Sequence, residues 1–127
     1  MKKNLVISSV AAIAAMSPEG FTVNAATLQP VTKGFAVAMK QTQNSFGAEG
    51  LARVANVIEE LQASGDQNGR TLAFGGWYDS ESGLYYYDAT VIFDDRAEAI
   101  EAGRANDQIA IFDLANLEEI RPVIYRV

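Results

Sequence analysis

Apolar and polar residues alternate along this chain with two different periods, and the changeovers between them mark its elements. The clearest stretch is residues 75–114, GGWYDSESGLYYYDATVIFDDRAEAIEAGRANDQIAIFDL, which reads as strand, turn, strand, helix, strand. Residues 71–79 form the first of these strands, ending in a Gly75-Gly76-Trp77 kink where the glycines mark a bulge or a close backbone approach. Ser80-Glu81-Ser82-Gly83 is a hairpin turn, with Gly83 placed to take a positive φ. The return strand puts Tyr85, Tyr87, Ala89, Val91 and Phe93 on one face and Tyr86, Asp88, Thr90 and Ile92 on the other, and the first set predicts the core side. Asp95 with Glu98 three residues later has capping-box spacing. It predicts a helix to about Asn106 with Ala97, Ile100 and Arg104 on one side. Residues 109–114 (IAIFDL) are apolar on both faces except at Asp113, which predicts a strand covered on both sides or lying next to another chain, with Ile109 and Ile111 or Phe112 buried. Residues 115–127, with Pro122, read as a less regular tail.

Upstream, residues 34–39 (GFAVAM) set Phe35, Val37 and Met39 against small Ala36 and Ala38, the pattern of a core strand. Residues 40–47 are polar turn material in which Asn44 or Ser45 is expected to cap the next helix. That helix is predicted over residues 48–63, because Leu51, Val54, Ala55, Ile58 and Leu61 fall on one stripe. Residues 21–31, broken by Asn24 and Pro30, predict an edge strand or extended arm. The first residues allow two readings. Lys2-Lys3 before an apolar run (LVISSVAAIAAM), with Val23-Asn24-Ala25 as a cleavage site, has the form of a secretory leader. Equally, residues 3–15 form an Ala-rich helix packed on the domain and stopped at Ser17-Pro18. The run is too short to span a bilayer.

Strands interleaved with helices, including one tight hairpin, predict an α+β fold: an antiparallel or mixed sheet of about four to five strands with two to three helices on it. Residues 1–17 stand as the apolar helix or leader, and residues 18–127 as a single domain, which a chain of 127 residues comfortably makes.

The composition closes off several chemistries. Histidine and cysteine are both absent, so the usual hydrolytic triads, thiol catalysis, disulfides and the commonest metal ligands are unavailable. Glu98 and Glu101 share a helix face, but no Asp-rich loop accompanies them, and acids in a first turn complement the helix dipole. No cofactor, metal or enzyme activity is expected. Net charge is −6 with bases scattered singly apart from Lys2 and Lys3, which argues against direct nucleic-acid binding. What remains is the aromatic hairpin. Trp77, Tyr78 and Tyr86 are the candidate binding residues, unless a helix or the N-terminal arm covers them. Thr42, Gln43, Asn44, Asn106 and Gln108 are candidate pocket residues, although helix capping and termination account for them equally well.

The blocks Gly20-Phe21-Thr22-Val23, Gly34-Phe35-Ala36-Val37-Ala38, Thr42-Gln43-Asn44-Ser45-Phe46-Gly47, Gly76-Trp77, Tyr87-Asp88 and residues 103–114 resemble a small domain of bacteriophage and mobile-element proteins. The similarity spans roughly residues 18–120 and its motifs are mostly structural. It implies that residues 18–25 belong to the folded domain, which favours a cytoplasmic protein over an exported one. The expected function is a non-enzymatic interaction protein that binds a protein partner or itself, an inhibitor of a host defence or nucleic-acid enzyme being one specific form. The alternative is an exported bacterial protein with an aromatic ligand-binding face.

Overall fold

The computed structural model describes residues 2–65 and 67–121; the expectations for Met1, Asp66 and the tail from Pro122 lie outside the described residues. The elements are α1 (Lys3–Ala15), β1 (Phe21–Asn24), β2 (Phe35–Ala38), a 3-10 turn (Lys40–Thr42), α2 (Gly47–Ser64), β3 (Thr71–Asp79), β4 (Leu84–Phe93), α3 (Arg96–Ala105), β5 (Ile111–Asp113) and β6 (Glu118–Ile120). The strands make one sheet in the order β1-β3-β4-β2-β5-β6, antiparallel at every pairing. The α+β class is as the pattern predicts, with one strand more: β6 is a polar edge strand whose Glu118 and Glu119 carry no apolar alternation to betray it.

The helices close over the face that carries the odd-numbered residues of β4. Val10 and Ala14 of α1 and Leu51, Val54, Ala55 and Ile58 of α2 pack with Phe74, Tyr87 and Ala89. Ala99 of α3 packs with Val37, Val91, Phe93 and Ile111. Part of the opposite face carries a third cluster, where Ala73 and Ile92 meet Leu114, Val31 and Ala36. Its cover comes from the segment crossing from β1 to β2 and from the turn after β5, joined by Leu114 N–H donating to the Gly34 carbonyl at 3.0 Å. That turn is closed by Asp113, whose carboxylate accepts from the Asn116 side-chain amide at 2.8 Å and is held below the usual carboxylate range mainly by that bond.

Several local expectations are revised. α2 has Phe46 at its N-cap position with no side-chain cap bond, because residues 45 and 46 are already committed to β4: the Ser45 carbonyl accepts from Tyr87 N–H at 2.8 Å and Phe46 bridges Tyr86. Asp95 does cap α3, accepting from Glu98 N–H at 2.9 Å, but Glu98 does not reciprocate and pairs with Arg70 at 2.9 Å instead. The inward face of α3 is Ala99 and Gly103, while Ala97 and Arg104 are exposed. Ile109 is 74% exposed, since pairing with β2 begins only near Phe112, opposite Ala36. The Gly75-Gly76 pair makes no bulge: both residues stay in register with β4. The outer edge of β1 is not an open ladder either, because the chain folds back on it, with Asn24 N–H donating to the Gln29 carbonyl at 2.8 Å and Val31 N–H to the Thr22 carbonyl at 3.0 Å.

α1 is integrated with the rest. Val10 is fully buried, Lys3 Nζ lies 2.9 Å from Glu59, and the Tyr85 hydroxyl donates to the Ser17 carbonyl at 2.7 Å. A cut after Ala25 would remove both α1 and β1. No helix among the described residues is long and apolar enough to cross a membrane.

The strand register makes a quantitative prediction at Phe93, which is buried on the α3 side with the Arg70 guanidinium 4.3 Å from its ring centroid. Phe93→Ala is expected to cost about 3–5 kcal/mol in denaturant unfolding by leaving a cavity. A loss below about 1 kcal/mol would mean the ring is not core.

Candidate binding groove on the sheet face

Adjacent residues of a strand point to opposite faces, so the tyrosine run of β4 divides. Tyr85 and Tyr87 go to the helical side; Tyr86 goes to the other. The register pairs Tyr86 with Trp77 and Tyr85 with Tyr78, which settles the partner of each ring. Trp77 and Tyr86 stack at 4.9 Å with 13° between planes. Phe46, bridged to Tyr86 on its other side, meets it edge-on at 5.6 Å and 68°. Three aromatic rings therefore run across neighbouring backbones away from the helices, with Trp77 48% and Phe46 43% exposed. Tyr78 is also exposed but belongs to the opposite face, so it is not part of this row.

Beside the row the backbone opens a groove. After Met39, whose N–H still donates to the Ala89 carbonyl at 2.8 Å, the chain leaves the β4 ladder, turns through Lys40–Thr42 and rejoins at Ser45. The Thr42 hydroxyl fills the gap in the ladder, accepting from Ala89 N–H at 3.1 Å and donating to the Met39 carbonyl at 3.0 Å. The detour bounds a groove of about 270 Å³ lined by Ala38, Met39, Thr42, Gln43, Asn44, Trp77, Tyr86, Tyr87, Asp88 and Gln108. Of the residues singled out in the sequence, Thr42, Gln43, Asn44, Trp77, Tyr86 and Gln108 meet here. Asn106 does not. Its Oδ1 accepts from Lys40 N–H at 3.1 Å and its Nδ2 donates to the Ala102 carbonyl at 3.0 Å, so it ties the end of α3 to the detour. Gln108 is steadied by donating to the Asn106 carbonyl at 3.0 Å.

Two participants escaped the reading of the sequence. Phe46 looked like turn material, and its partnership with Tyr86 arises only when the detour returns to β4. Asp88 had a visible signal, a lone carboxylate in an otherwise uncharged strand, but its setting depends on the residue across the ladder. That residue is Gly75, where an added Cβ would lie 2.5 Å from Asp88 Oδ1 and 3.0 Å from Thr90 Oγ1. Thr90 donates its hydroxyl to Asp88 Oδ1. Burial nevertheless outweighs that bond and pushes the carboxyl above the ordinary aspartate value. On the helical side, burial first, then Tyr87 and Glu19, push the Tyr85 phenol up to about 12, so it stays a neutral donor to Ser17.

Set against family models, curated proteins and solved structures, the chain matches none of them.

The Asp88 carboxyl binds its proton more tightly in the folded protein than in the unfolded chain. Its contribution therefore favours folding in acid and fades as pH rises through the folded value. Asn at this position keeps an acceptor for Thr90 and removes the charge. Asp88→Asn is expected to raise the melting temperature at neutral pH, with the gain shrinking toward acid in a thermal-unfolding series. A variant less stable than wild type at neutral pH would contradict this.

Proposed function

We propose that this chain is a non-enzymatic interaction protein that engages a protein partner through the Phe46, Tyr86 and Trp77 row and the adjoining groove. The observation that carries the reading is the exposed stacked row itself. Large rings held rigidly across a sheet bury much area on docking at small entropic cost, and such residues dominate binding energetics. Catalysis is a poorer account, since Asp88 has no histidine or cysteine to work with and Thr90 already occupies one of its oxygens. An aromatic sheet face also serves to stack single-stranded bases, but that mode adds a cationic track for the backbone. The groove lining contains neither lysine nor arginine, and the chain is net acidic.

The proposed setting is the cytoplasm, with the chain intact. What favours it over export with a leader cut after Ala25 is that such a cut removes α1 and β1 together. In the phage or mobile-element context that the sequence resemblance implies, inhibition of a host defence or nucleic-acid enzyme is one specific form of this role.

The two tyrosines on opposite faces supply the test. Tyr86→Ala is expected to lose about 2 kcal/mol of partner affinity, the scale of an interface hot spot, whereas Tyr78→Ala should retain wild-type capture. Affinity capture followed by titration against the captured protein measures the first effect, and sedimentation over a concentration series reports whether the partner is a second copy. Unchanged affinity in Tyr86→Ala and Trp77→Ala would overturn the reading.

A further inference from the structure

We infer that the groove receives a lysine ammonium presented by the protein partner, with Asp88 as its counter-ion and Trp77 and Tyr86 as the aromatic surface against it. This rests on the protein-binding role proposed for the face and names the chemistry that the partner must bring.

The charge balance of the groove is the starting point. Among the described residues Asp88 enters no ion pair, and its one hydrogen bond comes from Thr90 to Oδ1, which leaves Oδ2 without a donor. Two bases on or against the groove wall are directed elsewhere: Lys40 Nζ lies 3.9 Å from Asp107, and Arg53 donates to the Gln43 carbonyl at 3.3 Å. Asp88 is half-buried in the groove wall, so its unpaired Oδ2 is open to a ligand, and such a carboxylate gains most when a cation arrives and the pair is closed off from water. Gly75 makes the arrangement possible, because any side chain there would occupy the space of the carboxylate.

The remaining lining favours a cation as well. Trp77 and Tyr86 line it with aromatic rings, and such rings attract an ammonium most strongly where water is excluded. Gln43, Asn44 and Gln108 offer amide oxygens and no positive charge. The choice of lysine over arginine follows from Asp88 itself: Thr90 already uses part of the acceptor capacity of Oδ1, so the point charge of an ammonium, which needs only Oδ2, fits better than a guanidinium fork that would have to share Oδ1 with Thr90.

The experiment uses the full chain and follows the indole N–H resonance of Trp77, the one tryptophan present, during titration with n-butylammonium, a mimic of the lysine side chain. n-Butanol is the neutral match and methylguanidinium the fork-shaped cation. Wild type is expected to show a saturable shift with n-butylammonium, with n-butanol binding at least about tenfold more weakly and methylguanidinium no more tightly. Asp88→Asn should weaken n-butylammonium by at least about tenfold, and if that variant does not fold, the comparison of the three probes on wild type decides alone. No saturable shift, an equal response to n-butanol, unchanged binding in Asp88→Asn, or tighter methylguanidinium would each overturn the inference. If partner capture falls in Tyr86→Ala while the indole ignores n-butylammonium, the lysine receptor fails and the protein-binding face stands; if Tyr86→Ala also leaves capture unchanged, both fail.

Discussion

In the β3–β4 ladder Gly75 stands opposite Asp88 and Gly76 opposite Tyr87, and a Cβ on either glycine would collide with its surroundings. At Gly76 the obstruction is on the helical side, where the Phe21 ring would lie 2.2 Å away and the Tyr85 ring 2.9 Å. At Gly75 it is on the other side, against the Asp88 carboxylate. Two successive glycines thus clear space on both faces of one strand at one level of the sheet. The core aromatic cluster of Phe21, Tyr85 and Tyr87 sits under one glycine, and the groove floor lies under the other. A slip of one residue would exchange the faces and destroy both arrangements.

The two ends of the helix-free face are treated differently. Near Ala73 and Ile92 the crossing segment and the turn after β5 provide apolar cover through Val31 and Leu114. Near Trp77 and Tyr86 the rings remain half in water. The departure of the chain from β4 between Met39 and Ser45 creates that difference, and Thr42 and Asn106 hold the detour in place by satisfying backbone N–H groups that a regular strand would have paired. Those two side chains therefore shape the groove by acting on its walls.

Asp88 illustrates how stability and binding pull apart. Its carboxyl is pushed up by burial, which is the signature of a charge that the folded state does not welcome. Proteins usually answer such a charge with a base, and among the described residues the partner of this carboxylate is a threonine hydroxyl. Residues that weaken a fold while facing a groove are where function is commonly found.

The chain alone determined what depends on neighbours in sequence. The apolar stripe of α2, the Asp95 cap, the Gly83 turn and the inward set Tyr85, Tyr87, Ala89, Val91 and Phe93 follow from helix and strand periodicity and from local hydrogen bonding, so they were legible. Trp77, Tyr86 and Gln108 were legible as candidates by residue type. What only the tertiary structure decided is which residues share a face across strands. Tyr78 and Trp77 are adjacent and equally aromatic, and the register with β4 alone separates them. Ile109 looked like core until pairing with β2 was seen to begin beyond it. Phe46 joins the aromatic row and Asp88 the groove through partners 40 and 13 positions away, Tyr86 and Gly75, and contacts at such separation are set by packing of the whole sheet, which no local pattern encodes.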